Sequence, residues 1–156
     1  MLYEGGIRVP LAVRWPGVTE AGRLDSTAVI GSDLYPTLAR AAGAERPVEL
    51  DGIDLRPTMA GVRGTERSLF WHFPAYLQAG PGVEGIWRTT PAGAIRRGDY
   101  KLIEFFEDER VELYDLTVDP SETTDLSTVL PDTASELRAG LAQWRFAVAA
   151  DMPASK

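Results

Sequence analysis

Chemistry has few places to start in this chain. His72 is the single histidine, and there is no cysteine among the 156 residues. One imidazole can act as a base or touch a substrate, or it can be a packed, hydrogen-bonded ring. A two-histidine metal site is excluded. So are a disulfide scaffold, a thiolate metal site and a cysteine nucleophile. A Ser-His-Asp set exists by composition only, because no Gly-x-Ser-x-Gly elbow presents a serine. Neither Gly61-Val62-Arg63-Gly64 nor Gly80-Pro81-Gly82 is followed by Lys-Ser/Thr, so there is no phosphate-cradling loop. Glu107-Asp108-Glu109 cluster, but in a turn, where a solvated hairpin tip is expected. Calcium-loop spacing is absent.

Charge narrows the partners. Asp and Glu number 23 against 16 Lys and Arg, a formal net charge of -7. Such a chain repels phosphate backbones, and no basic cluster exceeds Arg96-Arg97, so nucleic acid is not an expected partner. No stretch reaches the roughly 20 apolar residues of a membrane span. Met1-Leu2 carries no leader pattern, and the compartment stays open.

The elements that would position these residues follow from periodicity. Val9-Pro10-Leu11-Ala12-Val13 predicts a strand, with Pro10 confining it to an early or edge place. Residues 33–42 predict a helix. Asp33 is its cap, Pro36 sits in the first turn, Leu34, Leu38 and Ala41 recur at helical spacing, and Gly43 stops it. A short helical piece is expected near Thr58-Met59, and a boundary between Gly61 and Thr65. Ser68 to Phe73 has a strand pattern, and residues 78–93 predict a long surface loop. Ala94 to Arg97, Gly98-Asp99 and Tyr100 to Phe106 predict a hairpin, with Val111 to Tyr114 as the next strand. A final helix is expected over about 132–150, with Leu137, Leu141, Trp144 and Val148 on one face. The fold class is therefore α+β. A small antiparallel sheet of about four strands is packed by a C-terminal amphipathic helix and preceded by a strand and a helix. A lone strand is unstable in water, which suggests absent neighbours. No self-sufficient active site is legible from the residues alone.

Several segments, in order, resemble the C-terminal part of the sulfatase family, arylsulfatase-like enzymes with an alkaline-phosphatase-type fold. Tyr3-Glu4-Gly5-Gly6-Ile7-Arg8-Val9-Pro10 looks like the family's most recognisable C-terminal motif, and Trp15-Pro16-Gly17 follows at the family's distance. Ser32 to Leu38 with Ala42-Gly43-Ala44, Leu50 to Leu55, Leu69 to Pro74, Ala94 to Ile103, Glu112 to Leu116, and Asp119-Pro120 with Glu122-Thr123 resemble later family segments.

The resemblance implies sulfate-ester hydrolysis by a formylglycine hydrate, with a divalent metal, usually calcium, and Lys and His residues balancing charge. The formylglycine comes from a Cys/Ser-x-Pro-x-Arg motif, which this sequence lacks. In the family, the metal ligands lie upstream, and an active-site lysine sits four residues before the tyrosine matching Tyr3. No catalytic or metal residue carries over, and no cofactor is expected on this chain. His72 is the candidate substrate contact, because its segment borders the substrate pocket in related sulfatases. For Glu4-Gly5-Gly6 the favoured reading is structural, glycines that allow tight backbone geometry next to a strand, with a place near the active site of a full enzyme as the other.

The expected division is 1–62, a remnant of the large α/β sulfatase domain, and 63–156, the C-terminal subdomain. The expected function is a sulfatase C-terminal fragment, inactive alone, that meets a sulfated sugar or aryl substrate only in an intact enzyme. A non-catalytic binding or assembly module derived from a sulfatase tail is the alternative. Truncation surfaces at 9–13 and 33–42 predict a homo-oligomer.

Overall fold

In the computed structural model, residues 2–44, 50–62, 64, 66–78, 80, 81 and 87–153 are described. The elements are α1 (Glu4–Ile7), a 3-10 turn (Gly31–Asp33), α2 (Leu34–Ala41), α3 (Arg56–Met59), β1 (Ser68–Phe73), β2 (Leu77–Gln78), β3 (Trp87–Thr89), β4 (Ala92–Arg97), β5 (Tyr100–Phe105), β6 (Val111–Asp115) and α4 (Pro131–Ala147). They fall into two units, Met1–Val9 with Arg67–Lys156, and Pro10–Glu66. The expected boundary at 62/63 abuts residues 63 and 65, which lie outside the described residues.

The first unit is built on a four-stranded antiparallel sheet in the order β1-β4-β5-β6. Gly98 and Asp99 join β4 to β5, and Arg97 pairs with Tyr100 across the turn. Gly98 has φ 57, a left-handed turn position that glycine takes without a Cβ penalty. Alternation then sends the side chains of β5 to opposite faces. Leu102 joins Ile95, Leu113, Ala134, Leu137 and Leu141 in a core beneath α4. Ile103 joins Leu2, Ala92, Ala94, Tyr114 and Leu116 in a second core, against which Ile7 also packs. The sheet is therefore covered by α4 on one face and by residues 2–7 on the other.

Pro131 starts α4 in its first turn, where a missing N–H costs nothing. Gly140 lets this helix approach β4, since a Cβ there would lie 3.3 Å from Ile95 Cδ1. The helix ends at Ala147, earlier than expected. Val148 lies beyond the last turn and is exposed rather than on the core face. Ala149, at φ 48, turns the chain away from the helix axis.

The loop expected over 78–93 carries structure at both ends: β2 pairs antiparallel with β3, and Ala92 already belongs to β4. Trp87-Arg88-Thr89 has the aromatic and β-branched character that suits a strand. Residues 79 and 82–86 of that loop lie outside the described residues.

Residues 9–66 correct two expectations. Residues 9–13 form no strand, because no neighbour completes a ladder and Pro10 has no N–H to give. Asp33 does not cap α2. Its buried carboxylate accepts instead the amides of Ile30 at 2.9 Å and Ile53 at 3.0 Å, tying the 3-10 turn to the loop after α2. The apolar face of α2 points outward, consistent with the uncovered surface expected at 33–42. Leu34 and Leu38 are 41% and 63% exposed, while Pro36 and Thr37 are buried. Thr37 Oγ1 donates to the Asp33 carbonyl at 2.6 Å and accepts the Leu55 amide at 2.9 Å, so polar bonds decide which face turns in. Gly43, at φ 67, does end α2 in the left-handed cap as expected.

Candidate functional site

The Tyr3–Gly6 motif is held from the sheet side by charged and aromatic residues. Lys101 points from β5 to the face that residues 2–7 cover, and its side chain is fully buried. A buried ammonium is tolerated only with close partners. It has two: Glu4 Oε1 at 3.0 Å and Glu122 Oε1 at 2.8 Å. The second contact is a charge pair without hydrogen-bond geometry, since Glu122 Oε1 has no hydrogen-bond partner. Glu122 Oε2 accepts the Glu4 amide at 2.5 Å and so caps α1, where Tyr3 supplies no side-chain cap. Arg8, largely exposed, lies 3.8 Å from the other Glu4 oxygen.

Glu122 is presented by a turn with its own order. The Asp119 carboxylate accepts the Thr123 and Thr124 amides, both at 2.8 Å. The Thr124 amide leads these bonds in holding the Asp119 carboxyl below the usual carboxylate range.

Tyr3 is fixed through its ring. Its hydroxyl donates to Glu112 Oε2 at 2.6 Å, and the Tyr114 hydroxyl donates to the same oxygen at 2.8 Å. The two rings meet edge to face at 6.3 Å. Burial, then the Glu112 hydrogen bond, pushes the Tyr3 phenol up to about 12. The same causes push Tyr114 upward as well, so both stay protonated donors.

On the opposite face of β5, Glu104 accepts Arg138 Nε at 2.7 Å and Arg145 Nη1 at 2.5 Å, which ties α4 to the sheet. One central strand thus carries a buried cation on one face and a buried anion on the other.

His72 lies on edge strand β1. Its Nε2–H donates to the Asp151 carbonyl at 2.7 Å, which fixes the tautomer. The ring packs 5.4 Å from Phe106 and 6.5 Å from Trp144. Nδ1 is buried with no hydrogen-bond partner. Trp144 itself stacks on Phe70 at 4.9 Å. His72 and the Tyr3–Gly6 motif are thus held by separate sets of residues.

Glu107, Asp108 and Glu109 are exposed at the hairpin tip, as expected. Glu107 accepts the Tyr76 hydroxyl at 2.5 Å, and Asp108 accepts the Arg110 amide at 3.1 Å. Among the described residues, no group of three or more His, Asp or Glu side chains could hold a metal ion. They do not fit the calcium that the family resemblance implies, and no step through a metal is derived from them. Nor does any helix among the described residues have the length and apolar character to cross a membrane.

Lys101, Glu112 and Glu122 were not legible as site residues. The available signal was Lys101 itself, a lone cation inside the apolar run of β5.

The family described as N-sulphoglucosamine sulphohydrolase, C-terminal, matches residues 1–145. The chain belongs to this sulfatase family. A sulfatase of Formosa agariphila is 37% identical over 160 residues, which covers 91% of this chain and 28% of that protein. An N-acetylglucosamine-6-O-sulfatase of Bacteroides thetaiotaomicron is 30% identical over 130 residues, covering 80% of this chain and 22% of that protein. The solved structure of a 2-O GAG sulfatase superposes with a TM-score of 0.61 at 28% identity, over 76% of this chain and 25% of that one. The chain therefore spans about a quarter of the length of the relatives it matches, 28% and 22% for the two curated ones.

Proposed function

We propose that this chain supplies the C-terminal portion of a sulfuric ester hydrolase and does not hydrolyse sulfate esters by itself. The observation that carries the reading is a family match over residues 1–145 by a chain that spans 28% and 22% of its relatives' lengths. The sequence has no cysteine and no Ser-x-Pro-x-Arg, so the nucleophile that the resemblance implies has no precursor in it. An activated nucleophile and preorganised charge supply most of such an enzyme's rate. The role left to this chain is to complete and orient the catalytic portion. A sulfated sugar is the proposed substrate class of the complete enzyme, in line with the names of two relatives.

His72 enters this proposal as the substrate-side residue. Nε2 is engaged by the Asp151 carbonyl, so a substrate contact through that nitrogen displaces the tail. A homo-oligomer also belongs to the proposal. Val9, Leu11 and Val13 are 76%, 52% and 41% exposed, an apolar surface of the kind that favours association with a second copy.

The test is to mix the purified chain with the catalytic portion of the Formosa agariphila relative. The expected result is binding, with sulfate release from a sulfated sugar rising above that portion's own rate. His72→Ala raises the KM of the mixture. No binding and no gain in rate sinks the reading. Light scattering on the chain alone tests the oligomer, and a monomeric mass at high concentration contradicts it.

A further inference from the structure

We propose that Lys101 and Glu122 are the positioning residues of the Tyr3–Gly6 segment, acting through Glu4. The inference rests on the proposed function, because the orientation of this segment matters to catalysis only when a catalytic portion is present.

Glu4 is held at both ends. Its amide donates to Glu122 Oε2, and its carboxylate meets Lys101. Lys101 returns to Glu122 Oε1 at 2.8 Å, which closes a ring of three side chains and one backbone group. The ring joins α1 to β5, 97 residues away, and to the turn at 119–124, where Glu122 lies 118 residues away. Side-chain exposures of 0%, 7% and 2% for Lys101, Glu4 and Glu122 keep water from competing for these contacts.

Apolar packing alone does not orient this segment. Leu2 and Ile7 pack on the sheet, but that attraction has no direction. Between them, Gly5 and Gly6 carry no side chain, and a Cβ built at Gly5 meets nothing within 4 Å. The direction comes from Tyr3, through its hydroxyl on Glu112, at the start of the segment and from Glu4 for the residues that follow. Glu122 also sits at φ 55, a left-handed conformation unfavourable for a residue with a side chain. Such strain persists where surrounding bonds over-determine it, and here the Asp119 turn on one side and the ring on the other do so.

The experiment is hydrogen exchange on the full chain, resolved by residue, for Glu122→Gln and Lys101→Met. Glu122→Gln keeps the size and an acceptor for the Glu4 amide, but removes the charge facing Lys101. It decides the question if Lys101→Met fails to fold. The expected result for Glu122→Gln, which keeps the Lys101–Glu4 pair, is exchange at residues 4–8 about tenfold faster or more, with β4, β5 and α4 at the wild-type rate; Lys101→Met, which also costs global stability, accelerates all of them. In the mixture with the catalytic portion saturated by folded chain, kcat per bound complex falls and KM holds; a general loss of stability lowers only the number of complexes, which the folded fraction from circular dichroism corrects for. Wild-type exchange at 4–8 overturns the proposal. So does equal acceleration across the whole sheet in Glu122→Gln, which makes the ring a contributor to core stability only. If the wild-type mixture is inactive, the proposed function fails, while the exchange result still decides the ring.

Discussion

Lys101 Nζ lies 3.0 Å from Glu4 Oε1, across 97 residues of sequence, and the lysine side chain has no exposed surface. Removing one partner of a buried pair leaves the other charge without compensation, at a cost of about 3–5 kcal/mol. Lys101→Met is therefore expected to lower stability by that order in a urea titration. A loss under about 1 kcal/mol, the size of an exposed pair, would show that the contact is weak.

The tyrosine pair makes a prediction about alkaline pH. The Tyr3 phenol is pushed up to about 12 by burial and by Glu112, against an ordinary value of 10.0. The folded state keeps a proton that the unfolded chain gives up. The stabilisation is full below the unfolded value and is lost as pH climbs through the folded one. The urea midpoint should fall between pH 10 and 12, and Tyr3→Phe should flatten that fall. Phenolate absorbance in which Tyr3 titrates with the exposed tyrosines would contradict it.

Gly52 gives a steric prediction for the 10–66 unit. A Cβ there would lie 2.0 Å from the Ser32 carbonyl oxygen, a backbone atom that cannot rotate away. Gly52→Ala is expected to cost about 1–3 kcal/mol or more and to loosen the Asp33–Ile53 tie. Unchanged thermal unfolding of this variant would show that the loop relaxes freely.

What the sequence disclosed follows the range of its physics. The β4–β5 hairpin was readable because Gly98-Asp99 and the flanking apolar residues act within a few positions of one another. Helix α4 was readable from Leu137 and Leu141 at helical spacing, and its end was not, because Val148 continues the pattern after the backbone has turned. The strand at 9–13 was wrong for a tertiary reason: an apolar run becomes a strand only beside a partner. On α2 the leucines mark the uncovered face expected at 33–42, but that Asp33 and Thr37 take the interior was not readable, because their bonds to Ile53 and Leu55 are made by the fold. The Lys101 ring was hidden altogether. A lysine in a strand reads as a solvent-facing residue, and its partners Glu4 and Glu122 are named only by the fold. The family, by contrast, was carried by the ordered set of motifs beginning at Tyr3, and the match over residues 1–145 supports it.

The proposed role of this chain is to orient a sulfatase site whose nucleophile precursor its sequence lacks. The most direct measurement is turnover of an aryl sulfate by the purified 156-residue protein, with calcium present. The expected rate equals that of buffer. Turnover far above buffer that scales with protein concentration would contradict the account.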